Sequence, residues 1–314
     1  MKNKYLGIDT SNYTSSCAVY NAETNIMDSR KQLLPVASGQ MGLRQSDAVF
    51  HHTKNLPTLL SSLCKVHNDG ICVVSASYAP RDVDGSYMPC FSVGEGYAEV
   101  LSSALNAKQY RFSHQAGHIA AALWSSGHTD LIEKEFIAFH VSGGTTDVLY
   151  VKPDSEKVFA IDTVCASLDL KAGQAVDRVG GILGLDFPAG PELDKLSRNS
   201  AENFRIKPFI KDGSCSFSGV QNKCESMKKN GAQPCDIAKY CIDYIYTAIK
   251  LMTEYALDKC GNIPVVYAGG VMSNSTISEK LTKEFSGFFA PPEFSSDNAA
   301  GTAYLGYIKE TRKW

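Results

Sequence analysis

The hydrophobic and polar positions repeat one pattern at two places in the chain. Lys4-Tyr5-Leu6-Gly7-Ile8-Asp9-Thr10-Ser11 is a short apolar run that ends in an acid and hydroxyls, and a second run, Ser16-Cys17-Ala18-Val19-Tyr20, follows it. Glu135 to Asp147 repeats the pattern through the turn Ser142-Gly143-Gly144, with Val148-Leu149-Tyr150-Val151 after it. Apolar runs bounded by turn formers predict paired strands whose turns offer backbone N–H groups and hydroxyls to an anion. Their recurrence about half a chain apart predicts a duplicated architecture. Between the copies, Thr53 to Leu63 has the period of an amphipathic helix, Ile71 to Ala76 that of a buried strand, and Gly94 to Leu105 that of a further helix. Ala79 to Ser86 is a charged loop rich in turn formers. Strands alternating with helices predict an α/β fold.

In the second half, Ala172 to Leu185 reads as a helix closed by a glycine, and Asp186-Phe187-Pro188-Ala189-Gly190-Pro191 as a rigid turn. Apolar residues at 237, 238, 241, 242, 245, 248, 249 and 252 predict a long helix with one buried stripe. That helix feeds the strand Pro264 to Val271, interrupted at Gly269-Gly270, where the backbone must approach something flat or anionic. Met272-Ser273-Asn274 then begins a helix, and Asp297 precedes a C-terminal one as an N-cap acid.

The 314 residues suit one large domain or two coupled lobes. The N-terminus enters strand sequence without a signal-type apolar segment, and no run of 18 uncharged apolar residues occurs, so a cytoplasmic protein without membrane association is expected. Ten scattered cysteines form no Cys-x-x-Cys pair, which predicts reduced, mostly buried thiols. A formal net charge of −2 excludes a generally basic coat, so a nucleic acid would be met by a local patch or by a partner. Lys223, Lys228 and Lys229 suit such a patch and suit a solvated helix face equally.

The most informative stretch is Phe112-Ser113-His114-Gln115-Ala116-Gly117-His118-Ile119, read as helix. His114 and His118 are four apart and share a helical face, so they either hydrogen-bond near a helix start or bind one metal ion. A metalloprotease helix carries a glutamate as general base directly after the first histidine, and here that residue is Gln115. An amide takes no proton from water, so a metal that holds or polarises a substrate is the better functional reading. A third ligand has to come from elsewhere, and Asp297 is the best carboxylate candidate.

Seven motifs, in order, resemble those of the TsaD family, also called the Gcp or O-sialoglycoprotein endopeptidase-like family, of the actin/sugar-kinase/Hsp70 superfamily. They are Leu6 to Ser11, His114 to His118, Val141 to Gly144, Pro188 to Pro191, Ser216 to Gly219, Ala268 to Val271 with Asn274, and Ser296 to Asn298. Each is weak alone, and their order is the specific signal. The resemblance implies a two-lobed actin-like ATPase fold, with one lobe over 1–112 and a second over 113–314 whose last helix packs back on the first. It implies a nucleotide in the interlobe cleft, between the Thr10-Ser11 and Ser142-Gly143-Gly144 loops. The implied reaction moves a threonylcarbamoyl group from threonylcarbamoyl-adenylate to N6 of a tRNA adenosine beside the anticodon. By the same carry-over, His114, His118 and Asp297 match the ligands of one divalent metal, iron or zinc. Val141, Ser142, Gly143, Gly144, Thr145, Asp177, Gly190 and Asn274 match positions that hold an adenine nucleotide, either the adenylate or ATP/ADP. The implied partners are tRNA and TsaB-like and TsaE-like proteins.

The departures from the family pattern gather at the same motifs. Asn12-Tyr13-Thr14 stands where the family usually has Cys-Asp-Glu, and Thr145 replaces a histidine. Leu170, Lys171 and Gln174 interrupt the family's Asp-Asp-Ala-Ala-Gly-Glu, and Ala79-Pro80-Arg81-Asp82 replaces its Gly-Pro-Gly loop. The chain is therefore expected to be a divergent member. It would be a threonylcarbamoyltransferase, a carbamoyl or acyl transferase with another acceptor, or a nucleotide-binding regulatory subunit. Gln115 ranks peptidase activity below all three.

Overall fold

The computed structural model describes residues 3–11, 13–35, 43–67, 69–291, 293–294 and 298–312. The chain divides into two compact units, 1–129 with 153–160 and 296–314, and 130–152 with 161–295. The division follows Thr129 rather than Phe112, so the histidine helix belongs to the first unit.

The first unit is built on a five-stranded sheet in the order β3-β2-β1-β4-β5. Its strands are β1 (Lys4–Ser11), β2 (Thr14–Asn21), β3 (Ile26–Leu33), β4 (Ile71–Ala79) and β5 (Lys108–Ser113). β1 pairs antiparallel with β2 and parallel with β4, and β4 pairs parallel with β5. Helices α1 (Gln45–Val66) and α2 (Phe91–Leu105) supply the crossovers that parallel neighbours require. Leu6, Ile8, Val19, Leu56, Leu60, Leu63, Val74 and Ala98 form one buried cluster. Helix α3 (His114–Ser126) follows β5 directly, so the segment expected to be helical from Phe112 is strand as far as Ser113. Ser113 is the N-cap and accepts the Ala116 N–H through its side chain at 3.2 Å.

The C-terminal helix, the ninth in chain order (Asn298–Thr311), completes this unit by packing on β1 and α3. Its N-terminal turns are made of small residues because backbones meet there. A Cβ on Gly7 would overlap the Ala299 carbonyl and the Ala303 amide, and one on Gly301 would overlap the Gly117 carbonyl of α3.

The second unit repeats the plan, with the sheet order β12-β11-β6-β7-β8. Its chain runs β6 (Phe136–Val141), β7 (Thr146–Asp154), β8 (Val158–Ala166), α4 (Ala172–Leu183) and α5 (Gly190–Ser197). Then come the two-residue strands β9 (Ile210–Lys211) and β10 (Ser214–Cys215), α6 (Ser218–Lys229), α7 (Pro234–Cys260), β11 (Val265–Ala268), α8 (Ser275–Phe285) and β12 (Phe288–Phe289), with the C-terminal helix as α9. In both sheets the first strand has its hairpin neighbour on one side and a parallel neighbour on the other. All eight positions of the α7 stripe are buried. The residues expected as a rigid turn, 186–191, are a turn only as far as Ala189, since Gly190 opens α5 with Pro191 beside it in its first turn. The strand expected to run to Val271 stops at Ala268, and α8 starts at Ser275 after a short 3-10 turn, Gly270–Ser273.

None of the ten cysteines, all of them among the described residues, is in a disulfide. Burial pushes Cys165, Cys215 and Cys224 up to about 12, so these stay protonated and unreactive at neutral pH.

One polar relay is buried between β2 and α1. The Ser15 hydroxyl lies 2.8 Å from Nδ1 of His52 and accepts from Nδ2 of Asn55 at 3.4 Å. His52 is fully buried, and among the described residues its Nε2 has no hydrogen-bond partner. Burial lowers the ring to about 4 from 6.5, outweighing the Asp9 charge and the Ser11 backbone, which favour protonation. Between these values the unfolded chain binds the extra proton, so stability is full above about 6.5 and is lost as pH falls toward about 4, by at most roughly 3 kcal/mol. Urea unfolding at pH 7, 5.5 and 4.5 should therefore show a shallower acid loss in His52→Gln than in the native chain.

Candidate functional site

The end of β1 and the start of α3 meet at a buried carboxylate. Asp9 is 1% exposed, and its Oδ2 accepts the Ser77 hydroxyl at 2.5 Å and faces Nδ1 of His114 at 2.8 Å. Its Oδ1 accepts the Ser11 N–H at 3.0 Å. Burial alone would raise this carboxyl, but the His114 ring, the Ser77 hydroxyl and the Ser11 N–H hold it below the ordinary carboxylate range. An ionised carboxylate only accepts, so the His114 Nδ1 facing it carries a proton. The His118 ring lies 4.7 Å from that of His114, centroid to centroid and edge to face, and Phe91 flanks His114 at 5.8 Å.

Among the described residues no group of three His, Cys, Asp or Glu side chains converges on one point. The third expected ligand, Asp297, lies outside the described residues, as does Asn12. Gly301, four positions after Asp297, packs on the Gly117 carbonyl between the two histidines. The donor chemistry at α3 suits a borderline metal ion, because one imidazole nitrogen is directed away from its carboxylate partner and a second imidazole stands beside it.

In the second unit, the glycine turn after β6 is pinned to the start of α4. The Gly173 N–H donates to the Ser142 carbonyl at 3.1 Å, and the Ala172 N–H to the Thr146 hydroxyl at 3.0 Å. Within the turn, the Ser142 hydroxyl accepts the N–H groups of Gly144 at 3.2 Å and Thr145 at 3.1 Å. A Cβ on Gly143 or on Gly144 would meet nothing within 4 Å, so both present open backbone. Gly269, with φ of +100°, sits where a Cβ would overlap the Val141 backbone, which brings the ends of β6 and β11 together. Ligands of open α/β sheets gather outside such carboxyl ends of strands.

Asp177 is one helical turn beyond Gly173 and accepts the Ala189 N–H at 3.0 Å, holding the residue before Gly190. Burial raises its carboxyl, and the Ala189 N–H works the other way. Asn274 is the N-cap of α8 and accepts the Ile277 N–H at 3.0 Å. Asp194, 9% exposed, ties α5 to that cap by accepting from the Ser275 hydroxyl at 3.1 Å and the Thr276 hydroxyl at 3.0 Å. These contacts tie α4 to the residue before Gly190 through Asp177, and α5 to the start of α8 through Asp194.

Sequence reading missed three acids that organise these sites: Asp9, Asp169 and Asp194. Asp169 accepts from the hydroxyls of Ser216 and Ser218, each at 2.5 Å, and from the Phe217 N–H at 2.8 Å, so it seats the Ser216 to Gly219 motif. These bonds outweigh its burial and lower it to about 2. Two departures are also explained locally. Gln174 accepts the Lys171 N–H at 3.2 Å, the capping contact a glutamate would make, and Lys171 donates to the Ser167 hydroxyl at 2.8 Å.

Comparison with known proteins connects both sites to one family. Among solved structures, component A of (R)-2-hydroxyglutaryl-CoA dehydratase from Acidaminococcus fermentans matches with a TM-score of 0.58 at 17% identity over 98% of this chain and 99% of its own. Full-length HypF matches with a TM-score of 0.63 at 11% identity over 100% of this chain and 57% of its own. These likenesses show the fold, the actin-like ATPase fold. Among curated proteins, the tRNA N6-adenosine threonylcarbamoyltransferases of Thermosipho africanus, Thermosipho melanesiensis and Archaeoglobus fulgidus are 31%, 32% and 26% identical, each over 96% of this chain. The same alignments cover 93%, 93% and 90% of those proteins. The family model for TsaD, tRNA N6-adenosine threonylcarbamoyltransferase, matches residues 36–304, and the chain therefore belongs to the TsaD family.

Proposed function

We propose that this protein transfers a threonylcarbamoyl group from threonylcarbamoyl-adenylate to N6 of a tRNA adenosine beside the anticodon, in the cytoplasm and with TsaB-like and TsaE-like partners. The observation that carries the reading is a family match that spans both sites, from the histidine helix to the cap at Asn274. His114, His118 and Asp297 would hold one divalent metal, iron or zinc, and such a metal would supply a Lewis acid for the carbamoyl oxygen and its developing charge. Hard oxygen-only cations fit two imidazoles poorly.

The chain's own residues do the rest. The backbone of the Ser142 to Thr145 turn approaches the phosphate, with the open Gly143 and Gly144 admitting it without a steric clash. The Ser142 hydroxyl, which accepts from the Gly144 and Thr145 amides, releases them when a stronger acceptor arrives. Asp177 and Asn274 suit ribose hydroxyls or base amines, and Gly190 leaves room beside them. Gln115, whose N–H donates to the Pro80 carbonyl at 3.1 Å, holds the loop that replaces the family's Gly-Pro-Gly turn and supplies no hydrolytic base.

Complementation of a strain depleted of its own family member, read by nucleoside analysis of its tRNA, tests the activity. The native chain should restore N6-threonylcarbamoyladenosine, and His118→Ala should lose bound metal and transfer together with little loss of stability. A variant without metal that keeps full turnover would refute the metal's role in catalysis.

Gly143→Val tests the nucleotide site. Because the position is open, the chain should fold with an unchanged melting temperature, while the affinity for an adenine nucleotide by calorimetry should fall at least tenfold. Unaltered affinity would remove this turn from the site.

A further inference from the structure

Phe187 is 84% exposed, more than any other large hydrophobic side chain among the described residues. The turn that carries it is held at both ends. The Leu185 N–H donates to the Gly180 carbonyl at 2.9 Å, and the Ala189 N–H to the Asp177 carboxylate at 3.0 Å. Gly180 packs so close to Ala189 that a Cβ on it would overlap the alanine methyl. The ring is therefore held out into water by a turn fastened to α4.

Its surroundings are cationic. Gln174, Arg178 and Gly181 are exposed and follow one another at helical spacing, so they share one outward face of α4. A Cβ on Gly181 would meet nothing within 4 Å, which leaves the middle of that face as bare backbone. Beside it lies α6, where Gln221 accepts from the Arg178 guanidinium at 3.0 Å and the Lys228 ammonium donates to the Ile182 carbonyl. Lys228 thereby places its charge at the C-terminal end of α4, where a helix favours a cation, and Lys229 follows it, exposed. Of the nearby acids, Glu225 is occupied by the Gln221 amide at 2.9 Å, and Asp186 is exposed next to Phe187.

We infer that this face of α4, with Phe187, is a surface for single-stranded RNA: an unpaired base of the tRNA acceptor stacks on Phe187, and Arg178 and Lys228 meet its phosphates. This placement rests on the reading of the chain as a tRNA-modifying enzyme and adds where its acceptor lies. Every base has a π-face, so an exposed ring takes an unstacked loop base of any identity while neighbouring cations take the backbone. A paired stem offers the ring no free base face. The helix face starts beside Gly173, whose N–H holds the Ser142 carbonyl, so RNA lying along it runs toward the open glycine turn.

The full chain titrated into a labelled anticodon stem-loop RNA, read by fluorescence anisotropy, tests the surface. Phe187→Ala should weaken binding about 5- to 100-fold, while Phe187→Trp restores it and shows its added indole emission quenched by the RNA. Arg178→Gln and Lys228→Gln should each lower the slope of log affinity against log salt by roughly one. Lys223→Gln, about 140° round α6 from Lys228, should leave affinity and slope unchanged. A Phe187→Ala chain that binds the stem-loop as tightly as the native one, or a Lys223→Gln chain weakened as much as Lys228→Gln, overturns the inference and leaves the tRNA reading standing. A native chain that binds no stem-loop yet restores the modified nucleoside in the depleted strain overturns this inference alone, and one that does neither removes both.

Discussion

The first unit depends on backbones that touch. Gly7 on β1 and Gly301 on α9 are glycines because the strand and the helix, and the helix and α3, approach until a methyl group would overlap a carbonyl. Such contact needs both partners flat at the meeting point, and Ala299, Ala300 and Ala303 keep α9 narrow along it. The histidine pair, the Asp9 carboxylate and the Ser77 to Thr302 contact are all set by this packing, since α3 and the end of β1 share α9 as a neighbour. The candidate site of the first unit is thus mounted on packed elements rather than on loops alone.

The second unit uses similar means at its own sheet end. Gly269 lets β11 close on Val141, and the close approach of Gly173 to the 142–145 turn seats α4 against that turn. Polar side chains finish what the glycines begin: Asp177 grips Ala189, Asp169 grips the Ser216 to Ser218 turn, and Asp194 braces the cap of α8. These partners lie 12 residues from Asp177, 48 from Asp169 and 81 from Asp194, so each carboxylate acts as a clamp between elements.

Periodic, buried elements were legible in the sequence. The α7 stripe could be read because a 27-residue helix on a core must repeat its apolar face many times, and α4 because Gly184 closes it in the left-handed conformation. Elements lacking an inward face were not. Lys108 to Ser113 is mostly exposed until its last two residues, and Ile26 to Leu33 is an edge strand with no buried position, so neither carries the alternation that marks a strand. The onset of α3 was misjudged by two residues because β5 runs into its cap with no intervening loop. The histidines stood out by spacing, whereas Asp9 did not, since its only clue was an acid at the end of an apolar strand and its partner enters 105 residues later.

The placement of α9 has a consequence for how the chain is made. The sheet of the first unit emerges early in synthesis, yet the helix that covers β1 and braces α3 is encoded at 298–311, after the whole second unit. At ~5–20 residues per second, residues 130–297 take on the order of ten to thirty seconds to appear. Throughout that interval the backbones at Gly7 and Gly117 lack the helix that packs on them, and the second unit can fold first. The first unit is therefore assembled out of order, its sheet being completed by a helix made after the second unit.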